Sequence, residues 1–434
     1  MRRMSKYLNL VVLLFILFCV RCSDESKSTD LPIIESPPFQ IQRSSLNRDL
    51  SPDVSEGDFS ELIDGNTQFV LDLYAQLQSE EGNLFYSPYS ISIALAMTYA
   101  GARGNTEMEI AETLNFTLPQ TRLHTAFNKL DLTLANSEGA TENDFILSVA
   151  NSLWGEQTYS FLEGFLDVLA LNYGAAMYLL DFINNPDESR QIINTWIEDQ
   201  TNGKITDFLK PGIVTKSTRL VLTNAVYFYG KWIYQFDEEN TSTEIFSLLD
   251  ESQVNVSMMK QEEYFSYADG EGYQAVELPY EGKDAGMLII MPDAGTFETF
   301  EQNLDTQTLS DITNNLELRN IDLKMPKWEF KSEFSFKDTL KDMGMNDAFL
   351  PDTADFSGID GSFDLFIGNV VHKAFVSVDE FGTEAAAATA VVFEFTSQPS
   401  EPVIIHINRP FIFLIRDFQT GTILFIGRVL NPAE

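Results

Sequence analysis

The sequence is poor in the residues that carry nucleophilic and metal-binding chemistry. Its 434 residues include 2 cysteines and 3 histidines. Both cysteines, Cys19 and Cys22, lie near the start, so the rest of the chain has no thiol for a disulfide, a cysteine nucleophile or a cysteine-ligated metal. The histidine count does not by itself exclude catalysis, because a Ser-His-Asp triad needs only one histidine.

The sequence motifs of common enzymes are also missing. The chain contains no G-x-S-x-G elbow, no G-x-x-x-x-G-K-[ST] phosphate loop and no H-E-x-x-H zinc helix. His406 alternates with apolar neighbours in a strand-like run, which favours a packed histidine over a reactive one. We therefore expect a protein that is not an enzyme and that uses no metal or organic cofactor.

Basic residues are scarce as well. Lys and Arg number 28 against 65 Asp and Glu, which gives a formal net charge of −37 at pH 7. A general nucleic-acid binder carries a basic footprint, so this class of protein is excluded. The same charge balance argues against an anionic membrane surface as a partner and against a basic site for a glycosaminoglycan.

The first residues are typical of an export signal. Basic residues precede an apolar run at residues 8–20 that is too short for a comfortable membrane span. We expect a signal peptide over residues 1–21 and a secreted, extracellular protein. Cleavage before Cys22 would leave a lipid-modifiable cysteine, so a membrane-anchored lipoprotein facing outside the cytoplasm is the alternative.

Composition divides the remainder into two parts. Residues 22–57 are rich in Ser, Asp, Glu and Pro, which predicts a disordered tether without a core of its own. Residues 58–434 show no internal repeat and no second linker, so we expect one folded domain. Early in this domain, Ser87 before Pro88 predicts the start of a helix that continues through Tyr99.

The rest of the domain mixes helices with long strands. Thr106 with Glu109 predicts a capping box at the start of the next helix. Strand-like apolar runs come later, at residues 220–229, 286–291, 403–407, 411–415 and 422–426. The elements do not alternate regularly, which predicts an α+β fold with large antiparallel or mixed sheets.

One segment between two strand-like runs does not match its surroundings. Residues 380–393 (EFGTEAAAATAVVF) are rich in alanine, and helix propensity alone favours a surface helix capped by Thr383. At a period of two, however, Thr383, Ala385 and Ala387 share one strand face that becomes apolar further on. Such a strand can enter a sheet without steric conflict, and Gly382 gives it a flexible start.

Several other motifs occur in order along the chain. Each is weak alone, but their order leaves little room for chance. They are NLFYSPYSI at residues 83–91, GARGNT at 101–106, NTWI at 194–197, TNGKI at 201–205, TNAVYFYGKW at 223–232, VHKA at 371–374 and NRPF at 408–411. Together with the alanine-rich segment, they resemble the serpin family of protease inhibitors from about residue 60 to the end.

The resemblance implies a fold and a mechanism. The fold would be the α+β serpin fold, with a large central mixed sheet, further sheets, a cluster of helices and an exposed reactive loop at about residues 380–402. In this family the target protease cleaves the loop and is held as an acyl-enzyme, and the loop then inserts into the central sheet. The implied function is irreversible suicide-substrate inhibition of serine, or of cysteine, endopeptidases by a monomer.

The resemblance also implies residues for the loop. The hinge at its start corresponds to Glu380, Gly382, Thr383, Glu384, Ala385, Ala386, Ala387, Ala388 and Thr389. Counting from the hinge puts the reactive bond between Thr396 and Ser397, which implies an elastase-like target with a small pocket. A slip of one residue would put the bond between Phe395 and Thr396 and imply a chymotrypsin-like target. Phe381 departs from the family, in which this position is often charged or polar.

Two further groups of residues are implied to control insertion. The sheet-opening cluster beneath the central sheet comprises Ser87, Ser90, Asn224 and His372. The loop-entry region comprises Trp232, Lys327 and Glu380, with an ion pair between the last two. The alternative for the sheet-opening cluster is a set of ordinary buried, hydrogen-bonded groups.

Two other functions stay open. A non-inhibitory serpin would act as a binding, carrier or chaperone module, and such relatives commonly have bulky or charged residues at the inward-facing hinge positions. This chain has small residues there. An extracellular hydrolase would turn over an ester or peptide substrate and would lose that activity on His372→Ala.

Overall fold

The computed structural model describes residues 37–135, 145–282, 285–383 and 401–434. Its helices are α1 (Glu56–Leu77), α2 (Pro88–Tyr99), α3 (Gly104–Thr113), α4 (Gln120–Ala135), α5 (Glu163–Val168), α6 (Pro186–Gln200), α7 (Phe297–Gln302), α8 (Thr306–Asn314), α9 (Lys337–Asp342) and α10 (Ser357–Asp360). Short π or 3-10 segments lie at Leu169–Tyr173, Glu238–Asn240 and Asp347–Phe349. Within these described ranges, no helix is long and apolar enough to span a membrane.

Most strands follow α4, and two short ones precede it. The strands of the described residues are β1 (Gln40–Gln42), β2 (Leu84–Tyr86), β3 (Phe145–Glu156), β4 (Met177–Leu180), β5 (Leu220–Lys231), β6 (Ser242–Ser247), β7 (Gln253–Gly270), β8 (Tyr273–Pro279), β9 (Ala285–Pro292), β10 (Glu317–Pro326), β11 (Trp328–Ser335), β12 (Val370–Val378), β13 (Gly382–Thr383), β14 (Val403–His406), β15 (Phe411–Asp417) and β16 (Ile423–Val429). The five strand-like runs predicted from the sequence fall on β5, β9, β14, β15 and β16, so these predictions are confirmed.

The start of α2 also follows the prediction. The Ser87 hydroxyl accepts a hydrogen bond from the backbone N–H of Ser90, and Pro88 occupies the first turn. All residues of α2 are buried, and the helix packs against both β5 and β16.

The predicted capping box at Thr106 and Glu109 is wrong. The cap residue of α3 is Arg103, which makes no side-chain capping bond. Thr106 instead accepts a hydrogen bond from the backbone N–H of Asp355, and Glu109 accepts one from that of Asp347. Both side chains serve contacts with distant segments, which local spacing does not reveal.

Two large sheets dominate the structure. The central sheet has the strand order β1-β4-β3-β5-β13-β12-β11, with antiparallel and parallel neighbours. The second sheet has the order β14-β10-β7-β8-β9-β15-β16-β2, and β6 pairs with β7. Large sheets packed with helices that do not alternate regularly with the strands match the predicted α+β fold class, which is therefore confirmed.

Apolar cores lie on both sides of the central sheet. Between the two sheets, Phe228 of β5 packs against Phe425 of β16 with ring centroids 5.4 Å apart. On the other face, Ile193 and Ile197 of α6 bury their side chains with Trp154 of β3. The central sheet is thus covered by α6 outside and by α2 and the second sheet inside.

Part of the predicted tether is folded against the domain. β1 pairs with the edge strand β4, and the Arg48 guanidinium forms an ion pair with Asp131 of α4 at 2.6 Å. Arg48 also donates to the amide oxygen of Asn128 at 2.8 Å. The prediction of a tether over residues 22–57 is therefore corrected from Phe39 onward. Phe39 also packs edge-on against Trp154, with ring centroids 5.4 Å apart. One aromatic residue and contacts with distant polar groups hold this segment, and the low apolar content of its sequence gives no sign of them.

Candidate functional site

Strand pairing in the central sheet changes partway along β5 and β12. Residues 222–227 of β5 pair in parallel with residues 370–375 of β12. Farther along, β13 lies between the two strands and pairs antiparallel with both. The chain after β12 therefore turns back on itself. The start of the predicted reactive loop already occupies the first positions of a strand between β5 and β12.

A tight turn carries the chain from β12 into β13. The Asp379 carboxylate accepts hydrogen bonds from the backbone N–H groups of Phe381 at 2.9 Å and Gly382 at 3.3 Å. Burial raises the pKa of Asp379, although these hydrogen bonds oppose the shift. The Trp232 indole donates to the carbonyl of Asp379 at 3.1 Å, and the Trp232 backbone donates to that of Phe381. Phe381, the departure from the family, thus belongs to the turn and precedes the paired residues.

Gly382 occupies a position that only glycine fits. Its φ angle is +155°, and a Cβ added there would lie 2.1 Å from the carbonyl oxygen of Gly230 and 2.8 Å from the Cα of Lys231. Any side chain would push β13 away from β5. The hinge glycine therefore permits close approach of the two backbones.

Thr383 is fully buried and makes a specific contact beneath the sheet. Its hydroxyl lies 2.7 Å from the hydroxyl of Tyr280. The Tyr280 ring stacks on Trp232, with centroids 4.7 Å apart and planes at 11°. Burial raises the pKa of Tyr280 far above its usual value, so the phenol stays protonated. The first inward-facing hinge residue is thus held by a neutral hydroxyl pair.

Glu380 is held from three directions beside the turn. Lys327 forms an ion pair with its carboxylate, and the Thr241 hydroxyl donates to it at 2.6 Å. Its backbone carbonyl accepts from the N–H of Phe236. Burial alone would raise the pKa of Glu380, which is 2% exposed, but the hydrogen bonds from Lys327 and Thr241 lower it below its usual value. The charged carboxylate therefore connects the loop-entry region to Lys327, between β10 and β11, and to Thr241, just before β6.

The sheet-opening cluster lies at the boundary between β5 and β12. His372 and Asn224 are directly paired residues there, and a hydrogen bond joins His372 Nδ1 to Asn224 Oδ1. The backbone N–H of Ser87 donates to His372 Nε2 at 3.2 Å, so the ring proton belongs on Nδ1. The amide of Asn224 donates to the Ser90 hydroxyl at 2.6 Å. The structure brings all four predicted residues together.

Burial governs the charge of this cluster. It lowers the pKa of His372 to about 3, so the imidazole is neutral at physiological pH. Asn151 of β3, which the sequence reasoning missed, accepts a second hydrogen bond from Asn224 at 2.6 Å and donates to the carbonyl of Ser90. The cluster is therefore a neutral, hydrogen-bonded network that includes β3, β5, β12 and α2.

Other predicted sites lie outside the described residues. These are Cys22, Glu384, Ala385, Ala386, Ala387, Ala388, Thr389, Phe395, Thr396 and Ser397. Besides Asn151, the sequence reasoning missed Thr241 and Tyr280, because both are far in sequence from the hinge residues they contact and no local pattern indicates them. Across the described ranges, no group of three His, Cys, Asp or Glu side chains is arranged to hold a metal ion.

Comparison with known proteins gives one consistent result. The family model described as "Serpin (serine protease inhibitor)" matches residues 64–432. An uncharacterized serpin-like protein of Thermococcus kodakarensis is 39% identical over all of both chains. The leukocyte elastase inhibitor of Sus scrofa is 40% identical over 86% of this chain and 100% of its own. Among solved structures, the thermophilic serpin tengpin in its native state matches with a TM-score of 0.78 and 28% identity, over 90% of this chain and 97% of its own.

Proposed function

The chain belongs to the serpin (serine protease inhibitor) family, and we propose that it inhibits a serine endopeptidase irreversibly, as a suicide substrate. The observation that carries the proposal is β13. Gly382 and Thr383 already pair with β5 and β12, so the reactive loop begins inside the sheet that it must enter. A loop that is only cleaved, or that only binds a partner, does not need its first residues to be paired within the central sheet.

The proposed reaction begins as ordinary proteolysis. The serine hydroxyl of the target attacks the carbonyl of Thr396, the peptide bond to Ser397 breaks, and the amine of Ser397 leaves with a proton. Thr396 then remains attached to the protease through an ester. Trapping requires that insertion of the loop be faster than hydrolysis of this ester.

The pairing of β13 supports one register for the inserted loop. Thr383 is opposite Gly230 in an antiparallel ladder, so each further loop residue meets the preceding residue of β5. Continued in this register, Phe393 reaches Leu220, the first residue of β5. Ala385 and Ala387 would follow Thr383 on the inward face. Small side chains there allow entry into a packed sheet.

Insertion must separate β5 from β12. Their parallel ladder over residues 222–227 and 370–375 would be replaced by two ladders, one on each side of the new strand. Backbone hydrogen bonds are gained in this exchange, at roughly 1 kcal/mol net each. The separation breaks the bond between His372 and Asn224, whose other partners on α2 and β3 remain.

The target and location follow from the loop and from the start of the chain. Thr396 before the bond favours an elastase-like enzyme, and the similarity to a leukocyte elastase inhibitor supports this choice. Cleavage after Phe395 by a chymotrypsin-like enzyme is the alternative. The predicted export signal at residues 1–21 supports action outside the cytoplasm, either free or anchored through Cys22. We propose that the protein acts as a monomer.

A screen with purified proteases tests the proposal. We expect an SDS-resistant complex with an elastase-type or chymotrypsin-type enzyme, and N-terminal sequencing of the released peptide will identify the bond. Thr383→Arg puts a charge at a fully buried position and should give cleavage without a complex. If wild type and Thr383→Arg are both only cleaved, the inhibitory function is wrong.

A thermal melt before and after loop cleavage decides the remaining alternative. An inhibitor whose loop inserts should melt at a much higher temperature once the loop is cut. An unchanged melting temperature would favour a non-inhibitory binding or chaperone module.

A further inference from the structure

The Tyr280 side chain lies beneath the central sheet, and its hydroxyl contacts that of Thr383, the first inward-facing hinge residue. We propose that Tyr280 is a positioning residue for loop insertion, because its hydroxyl fixes Thr383 opposite Gly230 and so sets the register in which the loop enters. The proposal rests on the proposed inhibitory function and adds a residue outside the loop that controls how often a protease is trapped.

The backbone around Tyr280 is anchored to the end of β5. Trp232 and Tyr280 form an antiparallel bridge, and the N–H of Glu281 donates to the carbonyl of Lys231 at 2.8 Å. The N–H of Tyr280 donates to the carbonyl of Ala285 at 2.9 Å. The position of the Tyr280 backbone relative to β5 is therefore fixed by main-chain hydrogen bonds on both sides.

The ring of Tyr280 is fixed as well. Trp232 stacks on one face, and Phe228 makes an edge contact with ring centroids 5.2 Å apart. Gly230 leaves room for the ring, because a Cβ at that residue would lie 2.8 Å from Tyr280 Cδ1. The ring passes beneath the one residue of β5 that faces Thr383, and its hydroxyl emerges at the Thr383 hydroxyl.

The register has chemical alternatives that Tyr280 disfavours. A slip of one residue would turn every loop side chain to the opposite face. A slip of two would bring Phe381 or Ala385 to the Tyr280 hydroxyl, and neither side chain can replace the hydrogen bond from Thr383. The bond to Tyr280 therefore distinguishes the observed register from the sterically nearest ones.

Register affects function through a competition between rates. An acyl-enzyme that is not trapped is hydrolysed, and the protease is released. If the loop inserts more slowly because its register is not set in advance, a larger fraction of acyl-enzyme is hydrolysed before it is trapped. Tyr280 is fully buried beneath the sheet, and its hydroxyl contacts the loop at Thr383, 13 positions before Thr396. Its loss should change the ratio of trapping to hydrolysis and leave attack on the reactive bond unchanged.

The test compares Tyr280→Phe and Thr383→Val, which each remove one partner of the hydrogen bond. We expect the number of inhibitor molecules consumed per trapped protease to rise about fivefold in each variant, the effect of one net hydrogen bond on a rate ratio. The double variant should be no worse than either single one, since both remove the same bond. Tyr74→Phe is the matched control, because it is equally buried and donates to Glu301 at 2.8 Å, far from the loop.

Hydrogen–deuterium exchange provides a readout that needs no protease. Amides of residues 379–383 should exchange about fivefold faster in Tyr280→Phe than in wild type, and the control should leave them unchanged. Unchanged exchange and unchanged consumption in Tyr280→Phe would overturn the proposal. So would exchange that is faster throughout the protein, since that would show a general loss of stability.

Two further outcomes are informative. If wild type traps no protease, the inhibitory function fails, while exchange at residues 379–383 still decides whether Tyr280 positions Thr383. If Tyr280→Phe does not fold, Thr383→Val decides, because it removes the same bond from the loop side. Wild-type exchange at this segment in Thr383→Val would then overturn the proposal.

Discussion

His372 and Asn224 face each other across the boundary between β12 and β5, and a side-chain hydrogen bond joins them. The same two strands are joined there by the parallel backbone ladder that the proposed insertion would separate. The neutral ring of His372 donates to Asn224 and accepts from the backbone of Ser87. If the proton were on Nε2 instead of Nδ1, the Nε2–H of His372 and the backbone N–H of Ser87 would be two donors facing each other.

Asn224→Ala should destabilise the uncleaved protein. It leaves the buried Nδ1–H of His372 without its acceptor and removes two bonds to α2 and β3, at a cost of about 1–3 kcal/mol. A lower urea midpoint is the expected measurement. Asn314→Ala is the matched control, because Asn314 is exposed at the end of α8, and its effect should stay within about 0.5 kcal/mol. Equal midpoints for the two variants would contradict the prediction.

Acid should destabilise the native protein through two histidines. Burial lowers the pKa of His372 to about 3 and, with a contribution from Arg103, that of His124 to about 4. Below the unfolded pKa of about 6.5, the unfolded chain therefore binds protons that the native protein does not. Native stability is complete above pH 6.5 and falls as the pH drops toward these lower values, by at most about 1.4 kcal/mol per pH unit for each histidine.

Urea unfolding at pH 7 and pH 5 measures this dependence. The midpoint should be lower at pH 5, and His124→Gln should reduce the difference by the share of one histidine. A midpoint that rises on acidification would show that other groups outweigh both histidines.

Gly382→Ala should impair trapping. The added Cβ would overlap the Gly230 carbonyl, so β13 would have to leave its position beside β5. Gel analysis should show more cleaved inhibitor and less complex than in wild type. Gly368→Ala is the control, since an added Cβ there meets no atom within 4 Å and φ is not in the left-handed range. Wild-type partitioning in Gly382→Ala would mean that the close approach of β13 to β5 is not needed.

Lys327→Ala should weaken the loop entry. The Glu380 carboxylate would keep its bond from Thr241 but lose its cation, and its pKa should rise. Because Lys327 is 38% exposed, we expect a loss of only about 1–2 kcal/mol in the unfolding free energy.

Two comparisons check this loss. Adding Glu380→Gln to Lys327→Ala should recover part of the stability, because no buried charge then remains. Lys210→Ala breaks an exposed pair with Glu333 and should cost less than about 1 kcal/mol. If Lys210→Ala lowers the unfolding free energy as much as Lys327→Ala does, the burial of Glu380 does not strengthen its ion pair with Lys327.

Sequence patterns predicted the elements whose own residues determine them. The N-cap of α2 depends on Ser87 and its immediate neighbours, and β5 and β15 are apolar runs that are buried on both faces. The predicted fold class was therefore accessible from the sequence, whereas the hinge beyond Thr383 lies outside the described residues and stays a prediction.

Contacts between residues far apart in the sequence could not be predicted from local sequence patterns. Tyr280 is separated from Thr383 by 103 positions, and nothing near either residue indicates the other. Asn151 became visible only once β3 was placed in register opposite Asn224. In the same way, Thr106 and Glu109 have the spacing of a capping box but bind residues more than 230 positions away. Such pairs depend on the tertiary fold.

The Asp131 carboxylate connects the two ends of a short path. One of its oxygens accepts from Arg48, and the other accepts from the Tyr89 hydroxyl at 3.0 Å. Tyr89 lies in the first turn of α2, between Ser87 and Ser90. Arg48, which precedes position 64, where the match to the family model begins, is thus linked through Asp131 to the first turn of α2 beside Ser87 and Ser90. Under the proposed function, a substitution at Arg48 would change the stability of the uncleaved protein and leave the loop that a protease meets unchanged. These two properties would then depend on different parts of one chain.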